Sequence, residues 1–132
     1  SNIEAVFELE KAFKELNIKV DVVPIHFDTH KLHLDCVFNT LDVDSGIISP
    51  YVYDRDIIEK YIINLYDISK EDTDNLGTNI VYLGNRIVFS SNKNVVNILN
   101  SHAYKAKYIE YSEIMKAGGG LACSTLSLLR EN

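Results

Sequence analysis

"TNIVYLGNRIVFSSNKNVVNILNSHAYKAKYIEYS", residues 78–112, decides the fold. "TNIVYL" (78–83) and "RIVFSS" (86–91) are β-rich runs, and "GN" (84–85) between them is a two-residue turn. "NKNVVNILNSH" (92–102) spaces its apolar residues as a short helix, and "KAKYIEYS" (105–112) is a strand again. The stretch predicts one strand–strand–helix–strand unit.

The same order precedes it. "LHLDCVFNTLDV" (32–43) is a long strand, "DSG" (44–46) a turn and "IIS" (47–49) a return strand, with Pro50 breaking the ladder. "DRDIIEKYIINLY" (54–66) is a helix with Asp54 as N-cap, and "YDIS" a short strand. The two units repeat at about 46 residues in pattern, with little identity. Such a period implies a ring or array of supersecondary units. Upstream, Val6, Leu9, Phe13 and Leu16 give a helix over 3–17 that stops at Asn17, and "IKVDVVPI" (18–25) alternates as a strand. "HFDTHK" connects it to the first unit, and "EIMKA", the glycines and a final strand follow the second. The fold class is therefore α/β (α+β), about two ββαβ units plus a flanking helix and strands. A ring should not begin inside a unit, so residues 1–132 are expected to be one domain cut from a longer chain.

The 132 residues are 46% apolar, enough for one core. No run of roughly 18 apolar residues spans a membrane, and no secretory leader is evident. The net charge of −6 is scattered, which argues against a nucleic-acid surface. Cys36 and Cys123 are the two cysteines and lie far apart, so a disulfide scaffold is not expected and a reducing cytoplasm fits.

Three constellations bear chemistry. On a strand, His33 and Asp35 share a face about 7 Å apart, with Leu34, Cys36 and Phe38 on the other. An imidazole beside a carboxylate suits proton transfer next to a cation, and equally a solvated polar face. In "KAGGGLACSTLSLLREN" (116–132), three glycines precede Cys123. Their freedom allows positive φ and close approach, and their N–H groups could polarise a substrate beside an activated thiolate. A small buried Cys after a flexible loop fits the same letters. His26, Asp28, His30, His33 and Asp35 include metal-ligand types, but His26 and His30 flank a turn and need not converge with His33. No metal is assigned, and Cys36 is read as core packing.

"LHLDCVFN" (32–39), "NIVYLGNRIVFSS" (79–91) and "GGGLACSTLSLLRE" (118–131) together resemble the C-terminal half of the amidinotransferase, arginine deiminase and dimethylargininase group of the pentein superfamily. The resemblance runs in order over residues 18–131. Its motifs, a His-x-Asp strand and a Gly-rich loop before a near-terminal Cys, are specific in combination. It implies a partial α/β propeller of ββαβ units around a central site. It also implies a Cys123 nucleophile on the guanidino carbon, His33 as proton shuttle, Asp35 holding the guanidinium, Gly119 and Gly120 at the substrate, and no metal or organic cofactor. The family commonly has "GGGPRC" or "GGGPHC" where this chain has Leu121 and Ala122, while Arg130 and Glu131 match it. An upstream acidic "EGGD"-like segment has no counterpart in residues 1–31.

The implied function is the catalytic half of a guanidino-modifying hydrolase acting on a small arginine-like compound, with no nucleic-acid or membrane partner. An amidinotransferase passing the group to an amine is one alternative. A non-enzymatic binding protein with a degenerate site, as in a ribosome-subunit binding factor of the same fold, is another. A homo-oligomer through exposed strand edges and apolar surface is also expected.

Overall fold

The computed structural model describes residues 2–128. Two three-stranded sheets of the same topology follow an N-terminal helix. Helix α1 (Ile3–Glu15) is capped by the Asn2 side chain, which accepts from Ala5 N at 3.1 Å. It ends where Asn17 takes φ +54° and Ile18 N bonds back to Phe13 O at 2.8 Å. None of its residues is buried.

In the first unit β1 (Phe38–Asp42) runs antiparallel to β2 (Ser45–Ile48), which runs parallel to β3 (Asn64–Asp67). In the second, β4 (Val81–Tyr82) runs antiparallel to β5 (Ile87–Ser90), which runs parallel to β6 (Lys105–Tyr108). Helix α4 (Lys93–Ser101) crosses between β5 and β6, burying Val95 and Leu99. Its N-cap, Asn92, accepts from Asn94 N and Val95 N at 2.9 and 3.1 Å. The repeated ββαβ order is thus present, as two units rather than a closed ring.

One core joins the units: Leu41, Ile47 and Ile68 of the first pack with Ile80, Val88, Val95, Leu99, Tyr104 and Ala106 of the second. Each fully buried Val or Leu there contributes about 1.5–3 kcal/mol. A second cluster, Val37, Ile48, Val52, Ile58 and Ile62, lies on the other face of the first sheet. Polar side chains also bind the units. Tyr82 and Tyr104 both donate to Asp42, the latter at 3.1 Å, and Asn39 Nδ2 donates to Thr78 O at 3.3 Å.

Several segments differ from the sequence reading. The strand expected over 32–43 begins only at Phe38, and Leu34–Cys36 is a 3-10 turn closed by Cys36 N to His33 O at 3.1 Å. The partner strand explains this. β2 pairs no further than Phe38↔Ile48, and Pro50 then turns the chain away. Residues 34–36 lack a ladder and close on themselves. His33 and Asp35 therefore do not share a strand face.

The helix expected over 54–66 is only α2 (Arg55–Ile58), after Asp54 at the cap position, and residues 64–67 are β3. The open edge of β2 takes this segment into parallel register from Ser45↔Asn64 to Ile48↔Asp67. A whole ladder outweighs helix propensities of a few tenths of a kcal/mol per residue. Helix α3 (Lys70–Asp74), which the sequence reading omitted, starts from Ser69, whose Oγ accepts from Asp72 N at 3.0 Å. Residues 18–25 form no strand; this region contributes only the isolated bridge Phe27↔Val52. After α5 (Ser112–Met115) and the glycines, Ala122–Ser124 is a 3-10 turn. No strand follows it among the described residues, and Arg130 and Glu131 lie outside them.

Candidate active site

The site is assembled around a residue that the sequence reading passed over. Asn79 is wholly buried at the entry to β4, its backbone held by a bond from its N–H to Leu76 O at 3.0 Å. Its Oδ1 accepts from Ala122 N at 2.8 Å. Its Nδ2 donates to Asp35 Oδ2 at 3.0 Å and to Cys123 Sγ at 3.4 Å. The amide's orientation is dictated by its partners, because a backbone N–H can only donate and a carboxylate can only accept. One side chain thus brings together the first unit's turn, the second unit's first strand and the glycine loop.

That amide also accounts for Gly120. A Cβ there would lie 2.2 Å from Asn79 Oδ1 and 2.6 Å from its Cγ. The close approach that the glycines permit is to the Asn79 side chain. Gly118 supplies positive φ, +89°, in open space. Gly119 would meet only Cys123 Cβ, at an ordinary 3.9 Å. Among the described residues, the backbone N–H groups of Gly119 and Gly120 have no protein acceptor. Leu121 is buried, while Cys123 is exposed.

Asp35 and Cys123 therefore meet on one amide. His33 stands two residues before Asp35, exposed, in extended backbone at the start of the 3-10 turn. Among the described residues its ring makes no hydrogen bond. Cys36 is half-buried and packs against the second cluster, that of Val37, Ile48 and Val52. It does not point away from Asp35, though: its Sγ lies 3.7 Å from Asp35 Oδ1. Burial, then the negative charge of Asp35, pushes the Cys36 thiol up, against a backbone bond at His33 that lowers it.

A cleft of about 650 Å³ runs beside this cluster. Asp35 and Ala122 line one part of it, and Asn39, Thr40, Asp42 and Tyr82 continue it along β1 and β4. The imidazoles of the upstream segment are drawn elsewhere. His26 Nδ1 meets Asp54 at 2.5 Å and His30 Nδ1 meets Asp28 at 2.9 Å. Backbone and side-chain bonds from these histidines hold both carboxyls below the usual range. No group of three or more metal-ligating side chains occurs among the described residues.

Asn79 heads the stretch "NIVYLGNRIVFSS", but a lone Asn before an apolar run reads as a turn residue. Its partners, 44 residues away on either side, carry no local signal.

No family model matches the sequence. The chain is 31% identical over 136 residues to the uncharacterized protein YkgA of Bacillus subtilis, covering 98% of this chain and 46% of that protein. It spans under half the length of the curated relatives it matches. Among solved structures, it resembles the N-terminal domain of ArgZ, an arginine dihydrolase from the ornithine-ammonia cycle in cyanobacteria, bound to product. That match has a TM-score of 0.75 at 24% identity, over 92% of this chain and 46% of that one. A variant of the same domain, covalently bound to a reaction intermediate, matches with the same TM-score at 25% identity. SxtG, an amidinotransferase from Microseira wollei in saxitoxin biosynthesis, matches with a TM-score of 0.72 at 15% identity, over 94% of this chain and 39% of that one.

Proposed function

We propose that this chain, which belongs by fold to the pentein superfamily, is the catalytic-cysteine part of a longer enzyme that modifies guanidino groups. The observation that carries the reading is the contact of Asp35 and Cys123 with one buried amide. A carboxylate that attracts a planar cation beside an exposed thiol is the pairing that attack on a guanidinium carbon requires. The ArgZ domain's covalent intermediate supports a stepwise route of this kind.

In this mechanism Asp35 accepts hydrogen bonds from two guanidinium nitrogens and presents the central carbon to Cys123. The thiolate forms a C–S bond to that carbon, giving a tetrahedral adduct. Loss of the amine breaks a C–N bond, and His33 gives the departing nitrogen its proton. His33, now neutral, takes a proton from water, whose oxygen attacks the amidino-thiol carbon. Collapse releases Cys123 as thiolate and leaves a ureido product. With an amine in place of water, the same steps transfer the amidino group. The N–H groups of Gly119 and Gly120 are free to face the substrate. The chemistry needs no metal or organic cofactor.

Product analysis tests this. A protein extending this chain to its relatives' full length should release ammonia, citrulline or urea from arginine-like guanidines, and Cys123→Ser should abolish it. Adding glycine or another amine acceptor separates hydrolase from transferase. No guanidino turnover in that protein would refute the reading. The 132-residue chain alone should be inactive; appreciable turnover by it would refute the need for further acidic contacts. The cytoplasm is the proposed location.

A further inference from the structure

We infer that Asn79 is a positioning residue of the nucleophile, its one amide holding Cys123 against Asp35. The inference rests on the proposed role of Cys123 and deepens it. Asn79 touches neither the cleft nor a substrate directly; it acts through its neighbours.

The geometry gives its two ends separate tasks. Oδ1 takes the N–H of Ala122, the residue before the thiol, and so fixes the loop. Nδ2 faces Asp35 and the sulfur together. A donor on sulfur favours the thiolate, the form that attacks. The thiol also lies 3.7 Å from Oδ1, so the protonated sulfur keeps a partner on the same side chain. Asp35 and Cys36 are the titratable groups beside this cluster, and both put negative charge or a competing thiol near the sulfur. An uncharged donor between Asp35 and Cys123 lets the carboxylate and a thiolate stand close without adding charge. Asn79 is fully buried and Gly120 has no room for a side chain, so the amide has little freedom to turn.

Two substitutions separate the tasks. Asn79→Asp keeps an oxygen for Ala122 N–H and loses the donor to sulfur. Asn79→Ala loses both. The readout is the rate at which chloroacetamide, a neutral reagent, alkylates Cys123 relative to Cys36, followed by peptide mass spectrometry, with circular dichroism confirming the fold. In the unaltered chain Cys123 should react faster than Cys36. Both variants should lose that advantage by about tenfold, the effect of one hydrogen bond to a charged group. Asn79→Asp also sets a second carboxylate beside Asp35, so the discriminating readout is the pH midpoint of Cys123 alkylation in the neutral Asn79→Ala variant: it should rise, whereas a merely structural Asn79 would leave it where the unaltered chain has it. An advantage that persists in both variants overturns the role of Asn79 and leaves Cys123 standing as nucleophile. No advantage in the unaltered chain overturns the nucleophile itself, and the role of Asn79 with it.

Discussion

Asp42→Ala should separate the two ββαβ units energetically. Both Asp42 oxygens take a tyrosine hydroxyl, Tyr82 on one and Tyr104 on the other. Tyr104 is 4% exposed, set edge-on to Tyr66 with ring centroids 6.0 Å apart, and has the Arg86 guanidinium 4.9 Å over its ring. Tyr104 is buried, and without Asp42 its hydroxyl loses a bond to a charged acceptor and keeps only its contact with Ser45, which costs about 1–2 kcal/mol; Tyr82 is half-buried and loses about 0.5–1 kcal/mol. The sum, about 2 kcal/mol, lowers the melting temperature of a chain this size by about 8 °C. The same contact is visible in alkali. Burial first, then hydrogen bonding and charge from Asp42, push Tyr104 from 10 up to about 12, against a lowering contact from Ser45. The fold prefers the neutral phenol. That stability is fully present below pH 10 and is lost as pH rises through 10 to 12. In Asp42→Ala the phenolate absorbance step should move down toward 10, while burial keeps it above the value of a free tyrosine. Thermal melting by circular dichroism and an absorbance titration measure both effects. A melting temperature within about 1 °C of the unaltered chain, with an unmoved phenolate step, would refute the argument that this carboxylate clamps the units.

Three further outcomes follow from the structure. Gly120→Ala drives a methyl into Asn79; overpacking of about 1–3 kcal/mol should open the loop, so residues 118–124 should exchange amide hydrogens faster, and unchanged exchange would contradict the contact. Burial pulls Asp72 up, but hydrogen bonds from Ser69, Asn94 and Asn92 outweigh it and hold the carboxyl below 3.8. Its stability is present above that pH and fades as pH falls through the lowered value, so Asp72→Asn should flatten the acid limb of the melting curve; an unchanged limb would count against it. Ile3, Phe7, Leu9 and Leu16 of the N-terminal region are exposed. The chain should self-associate in light scattering at high concentration, where a monodisperse monomer would contradict that.

The order of the second unit was legible because its signals are local, although the strand expected over 78–83 is only Val81–Tyr82 and the one expected over 105–112 ends at Tyr108. A turn at Gly84 and Asn85, alternation in 86–91 and a capped amphipathic helix each lie within one element, though the turn extends to Arg86 with positive φ at all three residues. The first unit was harder. Residues 64–67 form a strand only because β2 offers an edge, a fact held by residues about 20 positions earlier. His33 and Asp35 stand out as candidates by residue type, but the shared strand face expected of them does not form, because strand alternation assumes a ladder that ends at Phe38. The Ser69–Asp72 cap was readable in four letters and was missed. Asn79 was not readable in this way, since its meaning lies in contacts with Asp35 and Ala122, far along the chain in opposite directions.

The central claim is that Cys123 is an activated nucleophile beside a cation-binding carboxylate. Its most direct test is labelling of the intact protein with chloroacetamidine, whose amidinium resembles the proposed substrate group. Cys123 should be modified far faster than Cys36, and Asp35→Asn should remove most of the difference. Equal labelling of the two thiols, or preference for Cys36, would contradict the account.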